Sequence, residues 1–233
     1  MKIKHKGELI DITIQKRNRK TMELQVTLEG NVRILAPKNI SDDDIQNWVR
    51  SRGDWVVSKM KYFQDIKEQY TDKQFKVGEQ LYFLGKPYTL NIFFCDHENK
   101  VELTDNEIQV YTKSEEKEVV RETLRNWYFN QTHKLIEERI RYFQKYFKEQ
   151  PTKIMVKEQK KRWGSCTSQN ALYFNWRISM APKEVLEYLV VHEMCHLKHK
   201  NHGKNFWNCV ATILPDFKWR RDWLKVNGIK LNF

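Results

Sequence analysis

Residues 192–196 read His-Glu-x-x-His: His192, Glu193, Met194, Cys195 and His196. On a helix, residues four apart share a face, so His192 and His196 can offer imidazole nitrogens to one metal ion. Glu193 lies beside them and can hold a metal-bound water as general base, the chemistry of metal-assisted hydrolysis. Short patterns recur by chance, so the surroundings decide. The motif closes the apolar stretch Val185-Leu186-Glu187-Tyr188-Leu189-Val190-Val191, where a glutamate and two histidines are costly to bury without a partner. Four of the seven histidines fall between His192 and His202, a concentration that composition does not produce.

A catalytic zinc needs a third protein ligand and one open position. His202 lies between Asn201 and Gly203, where the chain leaves the helix and can curl back toward the metal. His199 competes, but it is seven residues beyond His192, about 10 Å along a helix axis, so His202 is favoured. A carboxylate ligand is the other option. No glutamate follows Glu193, leaving Asp216 and Asp222, while Glu184 and Glu187 sit on preceding turns, pointing away or too far. Two readings stand beside the three-histidine catalytic site: a metal-free cluster at a helix end, and a structural zinc, which more usually has four ligands including cysteine. Cys195 is expected on another face, as a small core residue.

These groups must be positioned by the surrounding elements. Ile10, Ile12 and Ile14, then Leu24, Val26 and Leu28, alternate with polar residues, the period of half-buried strands. Gly30-Asn31 turns the chain into Val32–Leu35, which predicts a hairpin. Ser41 before three aspartates is a helix N-terminus, with the helix running toward Tyr70 and burying Ile45, Trp48, Val49, Trp55 and Val56. Strands follow between Phe75 and Phe94, broken at Gly78 and Gly85, and a hairpin turns at Asp105-Asn106. From Glu115 to Gln150 the pattern is helical. Strands are then expected at Ile154–Val156 and Ala171–Trp176, a helix from Pro182 through His199, and further helix from Lys204, interrupted at Pro215. No internal repeat stands out. The expected fold is α+β: a β-rich subdomain over residues 1–114, then a mainly helical catalytic core with a small sheet over 115–233.

The hydrophobic fraction of 40% suits a folded chain. No apolar run is long enough to span a bilayer, and no apolar segment follows the charges at the N-terminus, so a soluble cytoplasmic protein without a membrane partner is expected. Four scattered cysteines without C-x-x-C spacing argue against a disulfide scaffold. The net charge of +12 admits a nucleic-acid partner, with patches at Lys16-Arg17-Asn18-Arg19-Lys20 and Lys157–Arg162.

Further motifs complete a pattern: Arg162-Trp163-Gly164-Ser165-Cys166, Asn175-Trp176-Arg177, the H-E-x-x-H with Leu197, Asn201-His202 and Phe206-Trp207. In this order they resemble the YgjP-like family of metallopeptidases, related to the SprT and WLM zincins. The basic strand pair, Ala36-Pro37, the helix holding Trp55 and Leu84-Gly85 extend the likeness to the N-terminal half. The resemblance implies a zincin-like core with one zinc per chain on His192, His196 and His202, Glu193 as catalytic glutamate, and a peptide or protein substrate. His199, Tyr173 and Arg177 are the candidates for transition-state or substrate contacts. Ala171–Trp176 is a candidate edge strand pairing with an extended substrate, an interior strand being the alternative. A nucleophilic role for Cys166 is rejected, since no separate histidine–acid pair accompanies it; a tight loop turning at Gly164 is the simpler reading. The competing functions are nucleic-acid binding as the main activity, and hydrolysis of a non-peptide amide.

Overall fold

The computed structural model describes residues 1–27, 30–69, 73–96, 99–114, 116–159 and 162–231. Leu28, Tyr70, Glu115, Lys160 and Lys161, which the sequence reading used, lie outside the described residues. The fold is α+β, in two compact units, Met1–Asp72 and Lys73–Phe233.

The first unit is a four-stranded sheet and two helices. Strands β1 (Lys2–His5), β2 (Glu8–Arg17), β3 (Glu23–Val26) and β4 (Val32–Pro37) are ordered β1-β2-β4-β3, with β2 and β4 parallel and both outer strands antiparallel. Alternate residues Ile10, Ile12, Val32, Ile34 and Ala36 face one side and form a core with Ile3, Ile45, Val49 and Val56. Ser41 caps helix α1 (Asp42–Arg50), its hydroxyl accepting from the Asp44 amide. The expected single helix breaks at Ser51-Arg52 and restarts as α2 (Gly53–Gln69). The Arg52 amide donates to the Val49 carbonyl, tightening the turn. Ile45, Val49 and Val56 keep one continuous core-facing stripe across the break, and Trp55 falls beside it, 46% exposed instead of buried. Within the first basic run, Lys16 pairs with Asp42 and Arg19 with Glu23.

The second unit opens with the same design. Strands β5 (Gln80–Phe83), β6 (Lys86–Phe94), β7 (Lys100–Leu103) and β8 (Glu107–Thr112) are ordered β5-β6-β8-β7, again with a parallel central pair. The registers coincide. Lys2↔Asp11 through His5↔Glu8 matches Gln80↔Thr89 through Phe83↔Lys86, and Ile12↔Val32 with Ile14↔Ile34 matches Leu90↔Ile108 with Ile92↔Val110. Both opening turns use two left-handed residues, Lys6-Gly7 (φ 48° and 89°) and Leu84-Gly85 (φ 50° and 78°), as twisted two-residue hairpins require. The chain therefore contains a structural repeat that its residues do not advertise, correcting the expectation of none.

Helix α3 (Lys117–Phe143) covers this second sheet, burying Val120, Leu124 and Tyr128 in one core with Leu81, Leu90, Ile108 and Val110. That shared core is why the units divide between Asp72 and Lys73 rather than near residue 114. A three-stranded sheet follows, with β9 (Lys153–Lys157), β10 (Gly164–Cys166) and β11 (Ala171–Asn175) ordered β10-β11-β9. A short 3-10 turn (Trp176–Met180) leads into α4 (Lys183–Lys198), then α5 (Lys204–Ile213) and α6 (Phe217–Asn227). Among the described residues, no helix is long and apolar enough to cross a membrane.

The entry to α4 is pinned by backbone and hydroxyl contacts. The Leu84 amide donates to the Ser179 carbonyl at 2.7 Å and the Gly85 amide to the Met180 carbonyl at 3.2 Å. Buried Thr132 of α3 donates to the Trp176 carbonyl at 2.6 Å and lies 2.8 Å from the Ser179 hydroxyl. A Cβ on Gly85 would lie 2.9 Å from Pro182 Cα, whereas a Cβ on Gly7, its counterpart, would meet nothing within 4 Å. Both glycines carry left-handed strain when replaced, but only Gly85 adds a backbone clash. Gly85→Ala is expected to cost about 1–3 kcal/mol and Gly7→Ala clearly less, read as the difference between the two melting temperatures.

Candidate metal centre

Helix α4 is apolar nearly all round, with Val185, Leu186, Leu189, Val190, Val191, Met194 and Leu197 buried. Two of its polar members are engaged by neighbouring helices. Glu187 receives Arg139 of α3 at 3.2 Å and Arg220 of α6 at 3.3 Å, so it braces three helices and is not free to reach a metal. Cys195 is fully buried and its thiol lies 3.1 Å from that of Cys209 on α5, a small core contact as expected.

His192 and His196 project from one face of α4, and the loop after the helix brings His202 to them. His202 Nε2 lies 3.0 Å from His192 Nε2 and 3.1 Å from His196 Nε2, and the potential ligand atoms of all three lie within 4.8 Å of one another. Phe206 is buried beneath them, its ring centroid 4.4 Å from that of His196, 4.9 Å from His192 and 4.7 Å from His202. Trp207 stacks on His202 at 5.7 Å. The Phe206-Trp207 pair thus forms the apolar seat that orients the imidazoles.

The donor chemistry fits a tetrahedral metal. Zinc–nitrogen bonds of about 2.0–2.1 Å place tetrahedral ligand atoms roughly 3.3 Å apart, close to the two separations from His202 Nε2. His196 Nδ1 lies 2.8 Å from the His199 carbonyl; that oxygen only accepts, so Nδ1 carries the proton and Nε2 keeps its lone pair for a metal. Tyr188 Oη lies 3.3 Å from His192 Nδ1, a supporting contact one helical turn before the motif. Burial holds His192 down to about 3, with His196 and His202 adding to the shift, and burial also lowers His196. Both are neutral near pH 7, the form that ligates.

Glu193 is 3% exposed, and its Oε2 is buried without a hydrogen-bond partner. Burial pushes its carboxyl up to about 8, with nearby Arg162 opposing. An orphaned carboxylate oxygen beside three convergent nitrogens fits a site whose missing members are an ion and a water. Gly164 of β10 faces it directly: a Cβ there would sit 2.5 Å from Glu193 Oε1 and 2.8 Å from Cδ and Cγ. Gly164 is therefore a strand residue needed for close approach, and not the maker of a turn.

The remaining sequence candidates are placed elsewhere. His199 contributes its backbone carbonyl to His196. Strand β11 is the central strand, hydrogen-bonded to β10 and β9 on its two sides, so it is no edge; β10 holds that position. Tyr173 alternates with Leu172 and Phe174 and faces the side of the sheet opposite Gly164, where Lys157 Nζ lies 3.7 Å from its ring centroid. Arg177 binds Glu158 at 2.6 Å, and Trp176 Nε1 donates to the same carboxylate. Asn175 donates to the Gln159 and Arg162 carbonyls. The Asn175-Trp176-Arg177 motif thus clamps the loop that delivers Trp163 and Gly164. Burial raises the Cys166 thiol despite Lys200 at 3.6 Å, which leaves no activated cysteine nucleophile there. Tyr188 and Arg221, missed in the sequence, line a cleft of about 270 Å³ beside His192 and Glu193; the i, i+4 spacing of Tyr188 and His192 was the available signal for the first.

A family model described as YgjP-like, metallopeptidase domain, matches residues 20–227. No curated protein matches the chain. Among solved structures it is similar to the metallopeptidase zymogen jannalysin of Methanocaldococcus jannaschii, at 22% identity and a TM-score of 0.34, over 42% of this chain and 94% of that one.

Two outcomes follow from the geometry. Gly164→Ala should displace Glu193 while sparing the three histidines, so metal content stays at the wild-type level as hydrolysis falls. In metal-free protein, Glu193 binds its proton more tightly folded than unfolded, so its contribution is complete below 4.5 and is lost as pH rises toward about 8. His192 acts oppositely, withdrawing stability as pH falls from 6.5 toward about 3. With metal chelated, the melting temperature of Glu193→Gln relative to wild type should therefore climb between pH 6.5 and 8; a constant difference would contradict the buried-carboxyl assignment.

Proposed function

The chain belongs to the YgjP-like metallopeptidase family, and on that premise we propose that it is a zinc-dependent peptidase with Glu193 as its general base. The reading rests above all on the unpaired, buried Oε2 of Glu193 beside the convergent nitrogens of His192, His196 and His202. These three histidines hold the ion, one per chain. A bound zinc supplies Lewis acidity and a water acidic enough to lose a proton near neutral pH.

The chain's own residues do the rest. Glu193 Oε2 receives a proton and, enclosed by α4 and β10, keeps it close enough to return to the departing amine. The His199 carbonyl and Tyr188 hold His196 and His192 in register, so the ligand nitrogens need no reorganisation. An extended peptide adds to the outer edge of β10, its backbone pairing with the strand that carries Gly164. A substrate laid there runs past Glu193 because no side chain at 164 intervenes.

Elemental analysis after zinc loading should find one zinc per chain in wild type and in His199→Ala, whose carbonyl is unaffected, and much weaker retention in His202→Ala. Glu193→Gln should keep the zinc while hydrolysis of a fluorogenic peptide library falls about 10²–10⁴-fold. Full zinc binding by His202→Ala, or undiminished hydrolysis by Glu193→Gln, would overturn the assignment.

A further inference from the structure

The cleft beside the metal centre has a composition that the hydrolytic chemistry does not require. Its apolar walls are Trp163, Tyr188, Leu189 and Leu224, and Arg221 and Lys225 of α6 complete it. These two cations are four residues apart on one helix and therefore share a face. Glu193 is the one carboxylate in the lining.

Lys225 is not consumed by the fold, and Arg221, which lies 5.7 Å from the Trp207 ring centroid, is only partly engaged. Arg221 meets Asp222 through Nε at 3.1 Å and its NH2 nitrogen at 3.0 Å, an exposed pair that solvent screens to little net strength. The guanidinium keeps N–H donors beyond those two. Lys225 is exposed and has no ion-pair partner among the described residues. The sequence around them is one-sided: residues 194–233 hold eight lysines and arginines against two aspartates and no glutamate. Half of the net charge of +12 thus comes from this C-terminal segment, and Arg221 and Lys225 are its members that line the cleft.

Resting on the peptidase reading, we infer that this cleft is a substrate subsite for a carboxylate, with Arg221 and Lys225 as its specificity determinants. The volume of about 270 Å³ suits one side chain more than a larger ligand. Apolar walls take an aliphatic stem, and two cations that reach solvent meet the anionic end. A glutamate or aspartate side chain offers this chemistry, and so does the C-terminal carboxylate of a short peptide.

The test is cleavage-site profiling by mass spectrometry, using zinc-loaded protein and a random synthetic peptide library with amidated C-termini. Glu193→Gln serves as the blank. Wild type should favour an acidic residue about tenfold at one position beside the scissile bond. Arg221→Gln/Lys225→Gln should lose that preference at equal zinc content and melting temperature, and Arg221→Glu/Lys225→Glu should turn it toward lysine and arginine. A preference that appears only when the library carries free C-termini, and that vanishes in the glutamine double variant, assigns the subsite to the terminal carboxylate. Cleavage without acidic preference, or a preference both double variants retain, overturns the subsite and leaves the peptidase reading standing. No cleavage of either library by wild type overturns both.

Discussion

Glu193 is buried with one carboxylate oxygen unpaired, on a helix whose other buried positions are mostly apolar. Two imidazoles from the same helix and one from the following loop converge beside it. Placing such groups in an apolar interior is unfavourable unless partners compensate, so the surrounding elements must hold the helix, the loop and the facing strand in fixed positions. Three imidazoles converging in this way could hold a metal ion.

The holding contacts are distributed along α4. At its entry, backbone amides of Leu84 and Gly85 and the hydroxyl of Thr132 fix the turn through Ser179 and Met180. In its middle, Glu187 ties it to α3 and α6 through Arg139 and Arg220. At its exit, the His199 carbonyl orients His196 and the Phe206-Trp207 pair seats His202. The Asn175-Trp176-Arg177 clamp then sets the loop before β10, so that Gly164 can approach Glu193 closely. None of these contacts uses an Nε2 nitrogen of the cluster, and together they place the three histidines and Glu193.

The repeated β-module shows how one topology serves two ends. In the second copy, the Leu84-Gly85 turn abuts Pro182 and so fixes the approach to α4; in the first copy, Gly7 occupies open space. The two copies share strand order, register and turn geometry, while few residue identities survive. Burial demands only that alternate positions be apolar, and Ile12 and Leu90 meet that demand equally well. Ladder register thus reveals a likeness that side-chain identity conceals.

What the sequence by itself determined was local. The H-E-x-x-H spacing, the turn at Asn201-Gly203, the Ser41 cap and the alternating strands each depend on neighbours within a few residues, and each is found where its pattern places it. His202 could be preferred to His199 because helical rise is a fixed length. What only the tertiary structure decided depends on partners distant in the chain. Ala171–Asn175 became a central strand because Gly164–Cys166 pairs along one side and Lys153–Lys157 along the other. Trp55 faced solvent because Ile45, Val49 and Val56 already fill the core-facing stripe on either side of the break. The unit boundary moved to residues 72–73 because α3 shares a core with strands that precede it. Gly164 carried no sign of Glu193, 29 positions later in the chain, because contact across a sheet edge is set by packing and not by spacing.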